Sequence, residues 1–103
     1  MTESELQSAV IEMARLFGWL VHHDRPSQNS KGRWSTAIQG DPGFPDLVLA
    51  RDGVVLFVEL KSAKGKMSDA QTEWFTALSG GPVVGQIWRP EDLRDRTIEA
   101  ALR

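Results

Sequence analysis

The sequence predicts a single α/β domain, a central sheet flanked by helices in the order α β β β α β α. Three observations carry this. A stripe of apolar residues at helical spacing opens the chain, and two runs rich in β-branched and aliphatic residues, Asp46–Arg51 and Val54–Lys61, are joined by the hairpin dipeptide Asp-Gly. Beyond them, a segment with its own start and stop signals is followed by one strand-like run and a closing helical segment.

Thr2 with Glu5 three residues later has the spacing of a capping box, and Leu6, Val10, Met13, Ala14 and Phe17 form one apolar stripe that stops at Gly18. The run WLVHH is a short strand. From Asp24 to Gly43 the chain has no period of either kind, and so long a loop in a small domain is expected to be functional or mobile. The hairpin follows. In MSDAQTEWFTALSGG, Ser68 is a cap and Gly80 a stop, with Ala70, Trp74, Phe75 and Leu78 on one side. PVVGQIW is a strand, and RPEDLRDRTIEAALR is expected to be one helix with Pro90 near its start.

At 103 residues and 41% hydrophobic, the chain is expected to form one domain, 1–103, around one core. It has no cysteine, which excludes disulfides and thiolate metal sites. No apolar run approaches the roughly 20 residues of a membrane span, and MTESELQ is too acidic and polar for a secretion signal, so a soluble cytoplasmic protein is expected. The formal charge of −2 speaks weakly against a nucleic-acid partner, but distribution matters more than the sum. Residues 21–66 carry seven of the twelve basic residues against five acids, two of which, Asp46 and Glu59, a bound cation would neutralise.

With Asp52-Gly53 as a two-residue turn, Arg51 opposes Val54 and position 46 faces position 59. Asp46, Val48 and Ala50 then share a face with Glu59, Phe57 and Val55, and Lys61 lies two residues further along it. Opposed Cβ atoms stand about 4.5–5.5 Å apart. Two carboxylates at that spacing repel by about 3 kcal/mol at an effective dielectric of 20. Either the register differs and both acids are solvated beside Lys61, or a divalent cation offsets the repulsion. Two hard carboxylates, helped by the Leu60 carbonyl and completed by water, suit Mg²⁺, whereas the lack of a His or Cys cluster disfavours zinc.

FPD followed after twelve residues by ELK resembles the PD-(D/E)XK signature of metal-dependent nucleases. The wider pattern, from a Glu-containing first helix through GFPDLVL, FVELK, the SDAQ helix start and IWRP, resembles the VRR-NUC branch of that superfamily over nearly the whole chain. The resemblance implies a restriction-endonuclease-like fold with a mixed central sheet, and hydrolysis of DNA phosphodiesters. It implies that Asp46 and Glu59 hold Mg²⁺ or Mn²⁺ against the scissile phosphate, and that Lys61 orients the attacking water and offsets the growing charge. A further acid is expected from the first helix. Glu3 leads the apolar stripe, whereas Glu5 sits off it and is explained as the partner of Thr2, so Glu3 is the choice.

Gln71 matches the family's glutamine early in the second helix, although Ser68 and Gln71 also form a capping box. Lys64 and Lys66, in a Gly-containing loop after the second strand, and Arg25, Lys31 and Arg33 in the long loop are candidate phosphate contacts. Trp34 is either a base-stacking platform or a loop anchor. Of His22 and His23, one is expected to point inward as a packed, hydrogen-bonded imidazole rather than a catalytic one. Trp19, Trp74 and Trp88 are expected in the core or an interface. The expected activity is a structure-specific DNA endonuclease acting on branched DNA such as Holliday junctions, as a homodimer, and a free-standing nuclease of this size suits a phage or mobile element. The alternatives are a catalytically inactive module that binds DNA or a protein, and a nuclease acting on RNA.

Overall fold

Thr2 starts the first helix as the spacing implies: its Oγ1 accepts from the Glu5 N–H at 3.1 Å and Glu5 Oε1 accepts from the Thr2 N–H at 2.9 Å. Such a box contributes about 1 kcal/mol. This is a computed structural model, and it describes residues 1–24 and 39–103 and, as backbone, 27–28 and 34–35. The elements run α1 (Glu3–Leu16), β1 (Leu20–His23), β2 (Ser27–Gln28), β3 (Trp34–Ser35), β4 (Leu47–Arg51), β5 (Val54–Leu60), α2 (Asp69–Leu78), β6 (Val84–Trp88), α3 (Pro90–Arg94) and α4 (Thr97–Leu102).

The main sheet has the order β1-β4-β5-β6, antiparallel at its first two junctions and parallel between β5 and β6. Helices flank it, which is the mixed sheet of a restriction-endonuclease-like α/β core. The hairpin turns at Asp52 (φ 51°) and Gly53 (φ 81°), so Arg51 pairs with Val54 and Leu47 with Val58. The pairing ends at Leu47 with Val58, and one step further the same register sets Asp46 opposite Glu59. Asp46 itself stands just before β4 rather than inside it, because its carboxylate takes up a backbone donor of β5.

One face of the hairpin, Leu47, Leu49, Leu56, Val58 and Leu60, is buried against Leu6, Val10 and Ala14 of α1 and Ile98 and Leu102 of α4. Each such side chain contributes roughly 1.5–3 kcal/mol by leaving water. Trp19 and Trp88 complete this core, and Trp19 Nε1 donates to the Leu102 carbonyl at 2.8 Å. On the opposite face, Phe44 meets Phe57 and Trp74 edge-on, with ring centroids 5.8 and 5.0 Å away. Gly43 lies so close under α2 that a Cβ would stand 2.6 Å from the Ala70 carbonyl carbon, and its φ of +92° is one that glycine tolerates. Trp74 is half-buried, its Nε1 donating to the Pro42 carbonyl at 3.0 Å.

Two expectations need correction. The stretch from Asp24 to Gly43 is not wholly without regular structure: β2 and β3 pair antiparallel, Ser27 with Ser35 and Gln28 with Trp34, a pairing too short to leave an alternating pattern. The closing segment is two helices, not one. Arg96 turns left-handed (φ 68°), and Asp95 Oδ1 accepts from the Thr97 N–H at 2.9 Å, so the local side-chain bond replaces helix continuation. Candidate contacts Arg25, Lys31 and Arg33 lie outside the described residues, as does the side chain of Trp34.

Candidate active site

Asp46, Glu59, Lys61 and Gln71 converge at the end of the β4–β5 hairpin beside the start of α2. The antiparallel register and the alternation of side chains bring them there. Asp46 Oδ2 accepts from the Leu60 N–H at 2.8 Å, which anchors the first carboxylate against the strand that carries the second. Glu59 is 1% exposed, on a face otherwise occupied by Phe57 and the aromatic residues of the 44–74 contact. Leu60 thus enters the cluster through its N–H.

Glu59 is held without being satisfied. Its Oε1 accepts from Gln71 Nε2 at 3.3 Å and stands 3.9 Å from Lys61 Nζ, while its Oε2 is buried with no hydrogen-bond partner. Burial pushes the Glu59 carboxyl up to about 9. The neighbouring Asp46 carboxyl adds to this, Lys61 opposes it, and the charge of Glu3 contributes a smaller push upward. Burial comes first and the nearness of Asp46 second, and Lys61 offsets them only in part.

Gln71 explains how Lys61 stays in place. Its Oε1 accepts from Lys61 Nζ at 2.8 Å and from the Ser68 N–H at 2.9 Å, while its own N–H donates to Ser68 Oγ at 3.1 Å. The capping role and the site role are one arrangement. Lys61, 8% exposed, is fixed at its backbone by donating to the Trp88 carbonyl at 3.0 Å.

The two first-helix acids have different surroundings. Glu5 is occupied by Thr2, whereas the charge of Glu3 reaches Glu59. One turn on from Glu3, Gln7 Nε2 lies 3.0 Å from His23 Nε2, and His23 Nδ1 lies 3.1 Å from the Asp46 carbonyl. Since the carbonyl only accepts, His23 donates from Nδ1 and accepts from Gln7 at Nε2. His23 is the inward, hydrogen-bonded imidazole and buttresses Asp46; His22 is exposed and pairs with Asp24 at 2.9 Å. Lys64 and Lys66 are exposed on the loop after Lys61.

Two contributors escaped the sequence reading. Gln7 carries no signal beyond standing four residues from Glu3 on the same helix side. Arg89, in the IWRP motif, donates from Nη1 to the carbonyls of Ser62 and Gly65 at 2.7 Å each.

Two carboxylates, one with a stranded oxygen, suit a hard divalent cation completed by backbone and water. Among the described residues no three Asp, Glu or His side chains cluster as an ion-binding set, so Glu3 adds charge without joining the pair. Among the described residues, too, no helix is long and apolar enough to cross a membrane.

A sequence model of the VRR-NUC domain matches residues 4–84. A solved chain described as a VRR_NUC domain is similar over 96% of this chain and 97% of its own, at 25% identity and a TM-score of 0.63. A search among curated proteins gives no match.

Proposed function

The chain belongs to the VRR-NUC family, a nuclease-type domain, and on that premise we propose that it is a metal-dependent DNA endonuclease, structure-specific for branched DNA such as a four-way junction. The observation that carries the reading is the buried Glu59, with one oxygen unpartnered, facing Asp46 beside a lysine locked by Gln71. An acid pair so buried is costly for stability alone, and strongly perturbed groups of this kind mark sites of chemistry.

Asp46, Glu59 and the Leu60 carbonyl would hold Mg²⁺ or Mn²⁺. Such an ion supplies polarisation of the phosphoryl oxygen, acidification of a water and stabilisation of the leaving oxygen. Lys61, held by Gln71, orients the attacking water and offsets charge growing on the phosphate. Gln71 keeps Lys61 and Glu59 at a fixed separation. Lys64 and Lys66, with Arg25, Lys31 and Arg33, contact phosphates. Trp34 is proposed to offer a face for an unpaired base, and amide exchange in residues 24–43 should slow when DNA binds. With that activity we propose a cytoplasmic setting and an origin in a phage or mobile element.

One panel tests the proposal: four-way junctions, flaps, splayed arms, nicked and linear duplexes, and RNA, each with Mg²⁺, Mn²⁺ or a chelator. Cleavage that needs the metal and is fastest on the junction is expected. Binding of DNA without cleavage in either metal would instead make the chain a binding module, and preference for RNA would change the substrate.

A further inference from the structure

Arg89 is a polar side chain that the reaction above leaves without a task. It directly follows β6, is half-buried, and its Nη1 donates to two carbonyls of one turn, those of Ser62 and Gly65, at 2.7 Å each. Its backbone N–H is engaged separately, donating to Asp92 Oδ2 at 2.8 Å where α3 begins. Among the described residues no carboxylate pairs with its guanidinium.

The turn is tight. Gly65 N–H donates back to the Ser62 carbonyl at 3.3 Å, and a Cβ on Gly65 would lie 2.9 Å from Ser62 Oγ and 3.6 Å from Lys61 Cδ. Lys61 stands at its root, and the exposed Lys64 and Lys66 project from it or just beyond it. Hydrogen bonds from a charged donor are stronger than neutral ones, so the two from Arg89 outweigh the turn's own long bond. Because they go to carbonyls rather than to a carboxylate, they leave the guanidinium charge uncompensated. The three lysines of one short stretch, Lys61, Lys64 and Lys66, are thereby joined by the charge of Arg89 beside the two acids.

The geometry points to Arg89 as the positioning residue of a DNA-phosphate clamp: it fixes the 62–65 turn so that Lys64 and Lys66 meet phosphates flanking the scissile one. This rests on the nuclease reading above. The clamp is assigned from this chain's own contacts, those of Arg89 with the Ser62 and Gly65 carbonyls. Arg89 is not placed in contact with the reacting atoms, and it should act on substrate binding rather than on the chemical step.

The test compares wild type, Arg89→Met, Arg89→Lys, the Lys64→Gln/Lys66→Gln double variant, and the double variant combined with Arg89→Met. Binding of a labelled junction is measured by fluorescence anisotropy in chelator across a salt series, and KM and kcat are measured with Mg²⁺. Arg89→Met should raise Kd and KM by on the order of tenfold with kcat changed by less than about twofold, and should lower the salt slope by roughly 1–2. Arg89→Lys, which keeps the charge and enough donors for both carbonyls, should recover most of the affinity. Adding Arg89→Met to the double variant should cost little more than the double variant alone, because Arg89 acts through those lysines. If Arg89→Met does not fold, Arg89→Gln takes its place under the same criteria. An unchanged Kd and salt slope in a folded variant, or a fully additive loss in the combined one, overturns the clamp while the nuclease reading stands. Failure of the wild type to bind DNA overturns both.

Discussion

A single amide, that of Gln71, closes a helix cap and holds two site groups, and substitution can separate these tasks. Gln71→Glu keeps a capping partner for Ser68 but replaces the Nε2 donor to Glu59 with an acid. We predict normal helix content with activity reduced on the order of tenfold or more, read by circular dichroism and cleavage rate; full activity would leave Gln71 only its cap. Asp46→Asn, Glu59→Gln and Lys61→Ala should each lower cleavage on the order of 10³-fold or more with the fold retained. Substantial metal-dependent cleavage by any of the three would refute the assigned roles. The raised Glu59 carboxyl also implies a pH dependence. Its value moves from 4.5 to about 9 on folding, so the native chain keeps a proton that the unfolded chain releases. That contribution is complete below about 4.5 and is lost as pH rises toward about 9. Melting in chelator should therefore weaken with rising pH through this window, and Glu59→Gln should flatten the trend and raise Tm at the alkaline end by several degrees, at roughly 4–8 °C per kcal/mol for so small a domain. Parallel pH curves for wild type and variant would rule the linkage out.

The elements differ in how plainly they are written. For α1, the capping spacing and the stripe through Leu6, Val10 and Ala14 predict the helix and its buried face, and they single out Glu3 as the acid left free by the cap. Glu3→Gln should therefore harm cleavage more, on the order of tenfold, than Glu5→Gln, whose glutamine still closes the box. The comparison needs only matched rates and melting curves, and the reverse order would reassign the acid. The β4–β5 hairpin was equally legible, because Asp52-Gly53 admits one tight register and that register opposes positions 46 and 59. The break at Arg96 was not: RPEDLRDRTIEAALR keeps a helical pattern throughout, and the competing bond from Asp95 to Thr97 depends on a backbone excursion that pattern does not record. The His23–Asp46 and Arg89–turn contacts were hidden for a related reason. Each joins segments more than twenty residues apart through a carbonyl, and a carbonyl is present at every position.

For the whole molecule, a cluster with one lysine and one acid pair cuts one strand, whereas resolving a four-way junction takes paired cuts in strands of like polarity. A two-fold homodimer supplies both cuts by symmetry. We predict a dimer in sedimentation at micromolar concentration and paired, symmetric cuts on a labelled junction; a monomer making single unpaired nicks, indifferent to branching, would reject this. The placement of β5 has a consequence for how such a protein can vary over time. Glu59 belongs to a strand with neighbours on both sides, β4 and β6. β1 and β6 bound the sheet, and exposed side chains away from the site, such as those of Leu20 and Val84, lie there. Replacements at such outward positions can accumulate, refitting the surface to new DNA shapes or new partners, without disturbing the reacting groups. The interior junction of β4 with β5 has no such latitude. A slip of one residue there would turn Glu59 into the apolar core and Val58 out of it. Descendants of this fold can thus be diverse at the rim while remaining bound to one register at the centre.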